Sequence, residues 1–381
     1  MSPLRLLALP LSFVLAVFAF GCSKEVIIGA VISESGSVET YGTHVRRGMD
    51  LAVEEINASG GVNGGPVTLL YKDDATNGNV GTQVTTELIE EYGVNAIIGA
   101  VSSTVTLAIA PICEKAGVVL LSPTASANSI SDAGDWIWRN YPSDQIEGTA
   151  MAKFAKEEVG AETVVVFAEK SEWGRSLTDV FTAQYEGRFR RVEKRFDFDE
   201  TMMDQLDTWV EETKTIGPDA VYVVAYDQEL IPLLQKFESA GLESVRMSTS
   251  SVTADIVKLA GTSAENIVYP QVVLDLESKE PAVSQFITAY RAKYSEDPDI
   301  YSAHGYDAVK LMAAAITTAG SMHPRSIRQG LSGIENFDGA AGRTSFDSKG
   351  DVVRYPRIFI VRDGLPVPYD KIKDQGGSLF D

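Results

Sequence analysis

Short apolar segments alternate with amphipathic segments along this chain, and no other feature restricts its fold as strongly. Apolar runs occur at 26–32, 67–71, 96–100 and 118–122. The stretches between them place apolar residues at spacings of three and four, which is the period of a helix. Strands that alternate with helices in this way predict a parallel sheet with helices on its faces, built from right-handed crossovers.

The same alternation begins again after residues 139–142, with apolar runs at 163–168, 192–196 and 220–225. A chain of 381 residues is also too long for one hydrophobic core. We therefore predict an α/β protein with two similar lobes, each a parallel-sheet βα sandwich, joined by short crossings rather than by a long linker. Two further helices and an Asp-Gly hairpin are predicted at 281–294, 302–319 and 362–364.

The N-terminus has the pattern of an export signal. A single positive charge precedes an almost wholly apolar run at 6–20, which is followed by Gly21 and Cys22. The run is too short to span a membrane and is typical of a secretory signal. The position of Cys22 resembles the bacterial lipoprotein box, which implies removal of residues 1–21, lipidation of Cys22, and a location in the periplasm or at the cell surface. Plain secretion with a nearby cut is the alternative, since Phe20 is bulkier than that box usually shows.

The formal net charge of −20 argues against two classes of partner. Nucleic acids and anionic membrane surfaces both require basic patches. We expect no nucleic-acid partner, and membrane contact only through the lipid anchor. Cys113 is the only cysteine besides Cys22, so we expect no internal disulfide.

Motifs of the common catalytic and cofactor-binding sites are missing from the sequence. The first strand is followed by residues 33–37, Ser-Glu-Ser-Gly-Ser, rather than by a dinucleotide-binding glycine pattern. No Gly-Lys phosphate loop, G-x-S-x-G elbow, H-E-x-x-H or C-x-x-C occurs. His44, His304 and His323 lie far apart without the spacing of metal ligands. We expect no enzyme activity, cofactor or metal.

Hydroxyl-bearing residues follow two neighbouring strands of the first predicted sheet. Ser102 and Ser103 come after the third apolar run, and Ala125 and Ser126 come after the fourth. Ligands of open parallel sheets bind outside the carboxyl ends of the strands. Hydroxyls and the N–H groups of a helix's first turn form a site there for an anion such as an α-carboxylate. The alternative is that these serines only cap helices.

Five segments at the predicted strand ends resemble, in order, the branched-chain amino-acid-binding proteins, the type I periplasmic binding proteins of ABC importers. The segments are Gly-Ser-Val-Glu-Thr-Tyr-Gly at 36–42, Ile-Asn-Ala-Ser-Gly-Gly-Val-Asn-Gly at 56–64, Tyr-Lys-Asp-Asp at 71–74, Ile-Gly-Ala-Val-Ser-Ser at 98–103 and Leu-Ser-Pro-Thr-Ala-Ser at 121–126.

This resemblance implies a monomer that captures a small amino-acid-like molecule in a cleft between its lobes and delivers it to an ABC permease. It also implies a hinge of several chain crossings between the lobes. The first lobe would contain residues 22–142 and 271–344, and the second would contain 143–270 and 345–381. The third crossing would lie near Gly342.

The resemblance also assigns roles to individual residues. Ser103 matches the serine that holds the ligand carboxylate through its hydroxyl and amide. Ala125 would offer its carbonyl to the ligand ammonium, and Ser126 stands where the family has a threonine that contacts both ends of the ligand. The aromatic positions of the pocket are matched by Tyr41, Trp173 and Tyr226.

One position departs from the family pattern. Ser250, in the loop 248–251, stands where the family has a glutamate that contacts the ligand ammonium. An ammonium buried without a carboxylate loses about 2–5 kcal/mol of binding free energy. Either another acid compensates, or the ligand is not a simple α-amino acid. Asp227, directly after Tyr226 at a strand end, is the best substitute in the sequence, and its alternative role is helix capping.

Three other functions stay open at this level. The same fold serves ligand sensors that feed a signalling receptor. The serine at position 250 would also suit a binder of an amide or of a carboxylate that has no amino group. An enzyme is the third alternative, because α/β lobes with a cleft host much catalysis.

Overall fold

The computed structural model describes residues 24–375 and 377–379. The predicted signal segment 1–21 and the predicted lipidation site Cys22 therefore lie outside the described residues.

Fourteen strands occur in the described part of the chain. They are β1 Val26–Ile32, β2 Val67–Asp73, β3 Ala96–Gly99, β4 Val119–Ser122, β5 Ile137–Arg139, β6 Thr163–Glu169, β7 Arg191–Phe198, β8 Ala220–Val224, β9 Val245–Met247, β10 Val268–Gln271, β11 Phe337–Gly339, β12 Gly342–Thr344, β13 Arg357–Arg362 and β14 Leu365–Pro368.

Twelve α-helices accompany these strands in the described residues. They are α1 Glu39–Ala58, α2 Gly78–Glu90, α3 Ser103–Ala116, α4 Asp144–Phe154, α5 Glu172–Tyr185, α6 Leu206–Ile216, α7 Asp227–Ser239, α8 Ala254–Ala260, α9 Pro281–Tyr294, α10 Ile300–Ala319, α11 Pro324–Ser332 and α12 Tyr369–Asp374. None of the described helices is both long and apolar enough to cross a membrane.

The strands form one large sheet in each lobe, and β11 and β12 form a separate two-stranded antiparallel sheet. The first sheet has the order β2-β1-β3-β4-β5, and all of its pairs are parallel. The second has the order β14-β13-β10-β9-β8-β6-β7. All pairs among strands β6, β7, β8, β9 and β10 are parallel. Strands β13 and β14 form a hairpin that adds two antiparallel strands at one edge. The predicted α/β architecture with two lobes is confirmed, and the second sheet is mixed rather than purely parallel.

Helices cover both faces of each sheet because successive strand residues point to opposite sides. In β1, Ile28, Ala30 and Ile32 pack with α1 and α10, whereas Val31 packs with α2 and α3. In the second lobe, one face packs with α6, α7 and α8 and the other with α4 and α5. The hydrophobic core of each lobe therefore consists of two layers around one sheet.

Two glycines allow helices α1 and α10 to approach closely. A Cβ on Gly48 would lie 1.9 Å from the carbonyl oxygen of Ser302. A Cβ on Gly305 would lie 2.2 Å from the carbonyl oxygen of Val45. Both separations are far below van der Waals contact, so a side chain at either position would push the helices apart.

The chain passes between the lobes at 140–143, 272–280 and 345–356, between elements of the two sheets. In the last of these segments, Asp351 still contacts the first lobe, since its carboxylate accepts hydrogen bonds from Arg139 Nε at 2.7 Å and from Ser131 Oγ at 2.6 Å. These contacts favour a third crossing after Asp351, further along the chain than the predicted position near Gly342. The other lobe limits stay predictions.

Candidate functional site

A cavity of about 30 Å³ lies between the lobes, at the carboxyl ends of the strands of both sheets. Residues after β1, β3 and β4 line it from the first lobe, and residues after β6, β8 and β9 line it from the second. This is the edge at which open parallel sheets bind ligands.

Ser103 forms part of the first-lobe wall at the N-terminus of α3. Ser102 caps this helix, because its Oγ accepts a hydrogen bond from Val105 N at 3.2 Å. Ser103 Oγ accepts hydrogen bonds from Ser126 N at 3.2 Å and Ala127 N at 3.1 Å. With its oxygen held by two amides, the Ser103 hydroxyl can donate its hydrogen to a ligand, and the helix N-terminus favours an anionic one.

The loop after β4 is held by a buried arginine. Arg139 donates from Nη1 to the carbonyl oxygens of Ser126 at 2.9 Å and Ala127 at 2.8 Å. Ser126 and Thr124 line the cavity. Ala125 does not line it, and packs in the core beside α2 and α3. Ser102 also lies outside the lining.

The predicted aromatic residues lie together. The rings of Trp173 and Tyr226 stack at 4.4 Å, and Tyr41 lies 5.3 Å from Tyr226. Tyr301 extends this group, with its ring 4.9 Å from that of Tyr41, and Tyr141 stacks on Tyr301 at 6.3 Å. All five rings line the cavity.

Two of these rings, Tyr141 and Tyr301, are not predicted from the sequence as site residues. Tyr141 belongs to the segment at which the second α/β series begins, and Tyr301 lies in the first turn of α10. An aromatic residue next to a predicted crossing was the only available signal, and many such residues serve packing alone.

Several hydrogen bonds join the lobes around the cavity, and three of them start from hydroxyls of α1 and α10. Tyr41 Oη donates to the carbonyl oxygen of Ser251 at 3.1 Å, and Tyr301 Oη donates to that of Ser250 at 2.8 Å. Thr40 Oγ1 donates to Asp227 Oδ2 at 2.9 Å. Ser250 lines the cavity, whereas Asp227 lies outside the lining and uses one carboxylate oxygen for this contact between lobes.

Two carboxylates of α4 lie behind the cavity wall. Glu147 Oε1 accepts a hydrogen bond from Ser250 N at 3.0 Å. Burial raises the pKa of Glu147 to about 7, and the hydrogen bonds from Ser250 offset part of that rise. Burial also raises the pKa of Asp144 to about 6, against the effects of nearby Ser126, Ser176 and Arg139. Within normal distance and angle limits, neither Asp144 oxygen accepts a hydrogen bond from a described residue.

Two further acids lie on the second-lobe side. Burial raises the pKa of Glu169 to about 8 and the pKa of Glu229 to about 7. Glu229 raises the pKa of Glu169 further by like-charge repulsion. Both acids act electrostatically on Tyr41 and Tyr226. The second lobe therefore places titratable carboxyls close to the cleft, whereas the first presents the N-terminus of α3.

The groups that line the cavity are uncharged. They are hydroxyls of serine and threonine, aromatic rings, and two valines. In residues 24–375 and 377–379, no three His, Cys, Asp or Glu side chains are grouped so that they could hold a metal ion.

Two α/β lobes that contact each other around a small cavity at their strand ends define a two-lobed ligand-binding protein. The family model described as periplasmic binding protein matches residues 25–364. The chain therefore belongs to the periplasmic binding protein family, and the resemblance found in the sequence is confirmed.

Similar proteins bind amino acids. The leucine-, isoleucine-, valine-, threonine- and alanine-binding protein of Pseudomonas aeruginosa is 27% identical over 325 residues, which cover 84% of this chain and 85% of the relative. The substrate-binding protein LivJ of Streptococcus pneumoniae, solved in complex with isoleucine, is 27% identical, with a TM-score of 0.83 and coverage of 90% and 98%. The leucine-binding protein LivK of Thermotoga maritima is 26% identical, with a TM-score of 0.84 and coverage of 90% and 97%.

Proposed function

We propose that this protein is the extracytoplasmic solute-binding component of an ABC importer, and that it binds a small amino acid, branched-chain or related. The observation that carries the proposal is the cavity between the lobes, with the Ser103 hydroxyl and the α3 N-terminus on one side and stacked aromatic rings on the other. The amino-acid-binding relatives support the same conclusion.

The ligand carboxylate lies against Ser103 in this proposal. The Ser103 hydroxyl and the first turn of α3 provide the hydrogen-bond donors that an anion requires. The ligand side chain packs against Tyr41, Trp173 and Tyr226. Because these rings form an apolar wall and similar proteins bind isoleucine and leucine, we propose that the side chain is aliphatic.

An ABC permease is the proposed partner, and the arrangement with both lobes in contact is what the permease recognises. We also propose that the protein is a monomer, that residues 1–21 direct its export, and that a lipid on Cys22 holds it at the membrane. It is not an enzyme in this proposal, and the hydroxyl and aromatic lining of the cavity supports that part.

Ser250 favours a second candidate ligand, a carboxylate that has no amino group. The cavity lining contains no acidic side chain among its residues, which come from the described part of the chain. A ligand without an ammonium group would need none.

A thermal-shift screen separates these ligands. The mature protein is unfolded and refolded to remove carried-over ligand, and is then mixed with the twenty amino acids and with matched carboxylates that have no amino group. A ligand at 1,000 times its Kd raises the free energy of unfolding by about 4.1 kcal/mol. We expect the largest rise in Tm with a small aliphatic amino acid. Stabilisation by the amino-free carboxylates alone would select the second candidate.

A further inference from the structure

The loop 248–251 has no acidic residue, and its hydroxyls are largely used within the second lobe. Ser248 Oγ donates to the carbonyl oxygen of Val223 at 2.9 Å, and Ser251 Oγ donates to that of Ala225 at 2.8 Å. The amide of Ser250 instead donates to Glu147 Oε1 at 3.0 Å. The side chain of Glu147, on α4, thus brings a carboxylate to a loop that has none of its own.

We propose, on the basis of the function proposed above, that Glu147 supplies the negative charge that balances the ligand ammonium group, from its position behind Ser250. Glu147 acts through the wall of the cavity rather than as part of its lining. It is a specificity-determining residue for ligands that carry an ammonium group.

The charge of Glu147 is not balanced within the described part of the protein. None of the ion pairs found there includes Glu147 or Asp144, whereas the nearby acids Glu157, Glu172 and Asp179 each pair with a lysine or arginine. The arginine that acts on Asp144, Arg139, is fully buried and already bonded to Asp351 and to two carbonyl oxygens. A buried carboxylate without a cation is costly, and a cationic ligand group would compensate it.

Asp144 gives an independent indication that this side of the cavity receives a cation. It lies one turn before Glu147 on α4 and is 1% exposed. The Ser126 and Ser176 hydroxyls lie near enough to lower its pKa, but within normal distance and angle limits neither carboxylate oxygen accepts a hydrogen bond from a described residue. Its amide donates to the carbonyl oxygen of Ser126 at 2.8 Å, which places it directly behind that cavity residue. The two α4 carboxylates therefore flank the cavity at Ser126 and at Ser250.

This arrangement matches the two ends of an amino acid. The N-terminus of α3 at Ser103 favours the carboxylate, and the α4 side favours the ammonium group. Asp227, the candidate from the sequence, does not line the cavity and binds Thr40 instead.

The proposal predicts that binding depends on pH. The pKa of Glu147 is about 7, because burial raises it against the Ser250 hydrogen bonds, and the charge of Asp144 raises it further. The other titratable groups near it are Tyr141, Tyr222 and Tyr301, whose pKa values burial raises, so they stay neutral near pH 7. A ligand ammonium lowers the pKa of Glu147, so binding releases a proton and affinity rises as pH increases through about 7.

The test uses Glu147→Gln, which can still accept the Ser250 hydrogen bond, and Glu157→Gln as the matched control. Glu157 lies on the turn that continues α4 and is exposed. Calorimetric titrations from pH 6 to pH 8 compare the tightest-binding amino acid with its amino-free carboxylate, for example L-valine with isovalerate. Thermal unfolding of each variant verifies that it is folded, and titrations in two buffers of different ionisation enthalpy count the protons released by the wild type.

We expect Glu147→Gln to weaken amino-acid binding by at least about 10-fold, to leave isovalerate binding unchanged and to remove the pH dependence. Glu157→Gln should behave as the wild type. Unchanged amino-acid affinity in Glu147→Gln, or no proton release by the wild type, would overturn the role of Glu147 and leave the proposed function standing. A wild type that binds isovalerate but no amino acid would overturn both.

Discussion

The Ser103 hydroxyl has two roles, one in the structure of a neighbouring loop and one, which we propose, in ligand binding. Its oxygen fixes the amides of Ser126 and Ala127, and its hydroxyl hydrogen is available to a ligand anion. The first role shapes the loop after β4. The second is the role in ligand binding that we propose. Both depend on a residue that lies at the start of α3, where the end of β3 places it at the cleft.

We predict that Ser103→Ala weakens amino-acid binding about 10- to 100-fold, since a hydrogen bond to a charged group contributes about 1.5–3 kcal/mol. Isothermal titration calorimetry measures the change. Ser129→Ala, at an exposed position shortly after the β4 loop, is the control and should bind as the wild type. Equal affinities for the two variants would remove Ser103 from the site.

We propose that the aromatic rings limit the size of the ligand side chain. Tyr41, Trp173 and Tyr226 all line the cavity, so a smaller ring at position 173 leaves more room for that side chain. We predict that the wild type prefers alanine and valine to phenylalanine, and that Trp173→Phe shifts this preference towards larger side chains. Trp209→Phe, in the core between β7 and α6, is the control and should keep the wild-type order. Titrations with alanine, valine, leucine and phenylalanine give the order, and an order unaffected by Trp173→Phe would contradict the assignment.

Contacts between elements of opposite lobes hold the cleft together. Helix α1 provides Thr40 and Tyr41, which bond to Asp227 and Ser251 of the second lobe. Helix α10 provides Tyr301, which bonds to the loop after β9. The ligand-binding arrangement therefore depends on the ends of two first-lobe helices that pack closely through Gly48 and Gly305.

We predict that Thr40→Val lowers ligand affinity about 10-fold, because it removes a hydrogen bond to a carboxylate, which contributes about 1.5 kcal/mol to the contact between the lobes. Thr43→Val on the exposed side of α1 is the matched control. Thermal unfolding should change little in either variant. If both bind the ligand as tightly as the wild type, the bond between Thr40 and Asp227 has no part in binding.

The elements that can be predicted best from the sequence are those whose apolar period is long and regular. The helix predicted at 281–294 agrees with α9, and the Asp-Gly turn joins β13 and β14 as expected. Short elements such as β5, β11 and β12 have three residues each, too few to show a period, and were not predicted. At that length the intrinsic strand propensity of the residues has little effect, and a strand forms because a neighbouring strand pairs with it.

The candidate site was partly predictable for a related reason. Ser103, Ser126, Trp173 and Tyr226 all follow apolar strands, so topology brings them to one edge. Ser250 and Glu147 are 103 residues apart, and their hydrogen bond depends on how α4 packs beside the second sheet at β10. No local pattern encodes that contact, which is why the sequence favoured Asp227, an acid at a strand end, instead.

The molecule as a whole carries buried acids whose ionisation opposes folding. Burial raises the pKa values of Asp144, Glu147, Glu169 and Glu229 to between about 6 and about 8. The unfolded values of such groups are close to 4. A carboxyl with a higher pKa in the folded protein binds more protons when folded, so its contribution to stability is lost as pH rises from about 4 to its folded pKa.

We predict that the free energy of unfolding of the refolded, ligand-stripped protein falls by at least about 2 kcal/mol between pH 5 and pH 8. Urea denaturation at several pH values measures it. Glu169→Gln should reduce the slope, because it removes the carboxyl whose pKa burial raises to about 8. Stability that is constant or that rises with pH over this range would contradict the assigned burial of these acids.

We propose above all that one small amino acid binds between the lobes. The decisive experiment is isothermal titration of the mature, ligand-stripped protein with small aliphatic L-amino acids, with Ser103→Ala titrated in parallel. We expect saturable binding of one ligand per chain in the wild type, weakened about 10-fold or more in the variant. Absence of binding for all twenty amino acids, or equal binding by the two proteins, would contradict it.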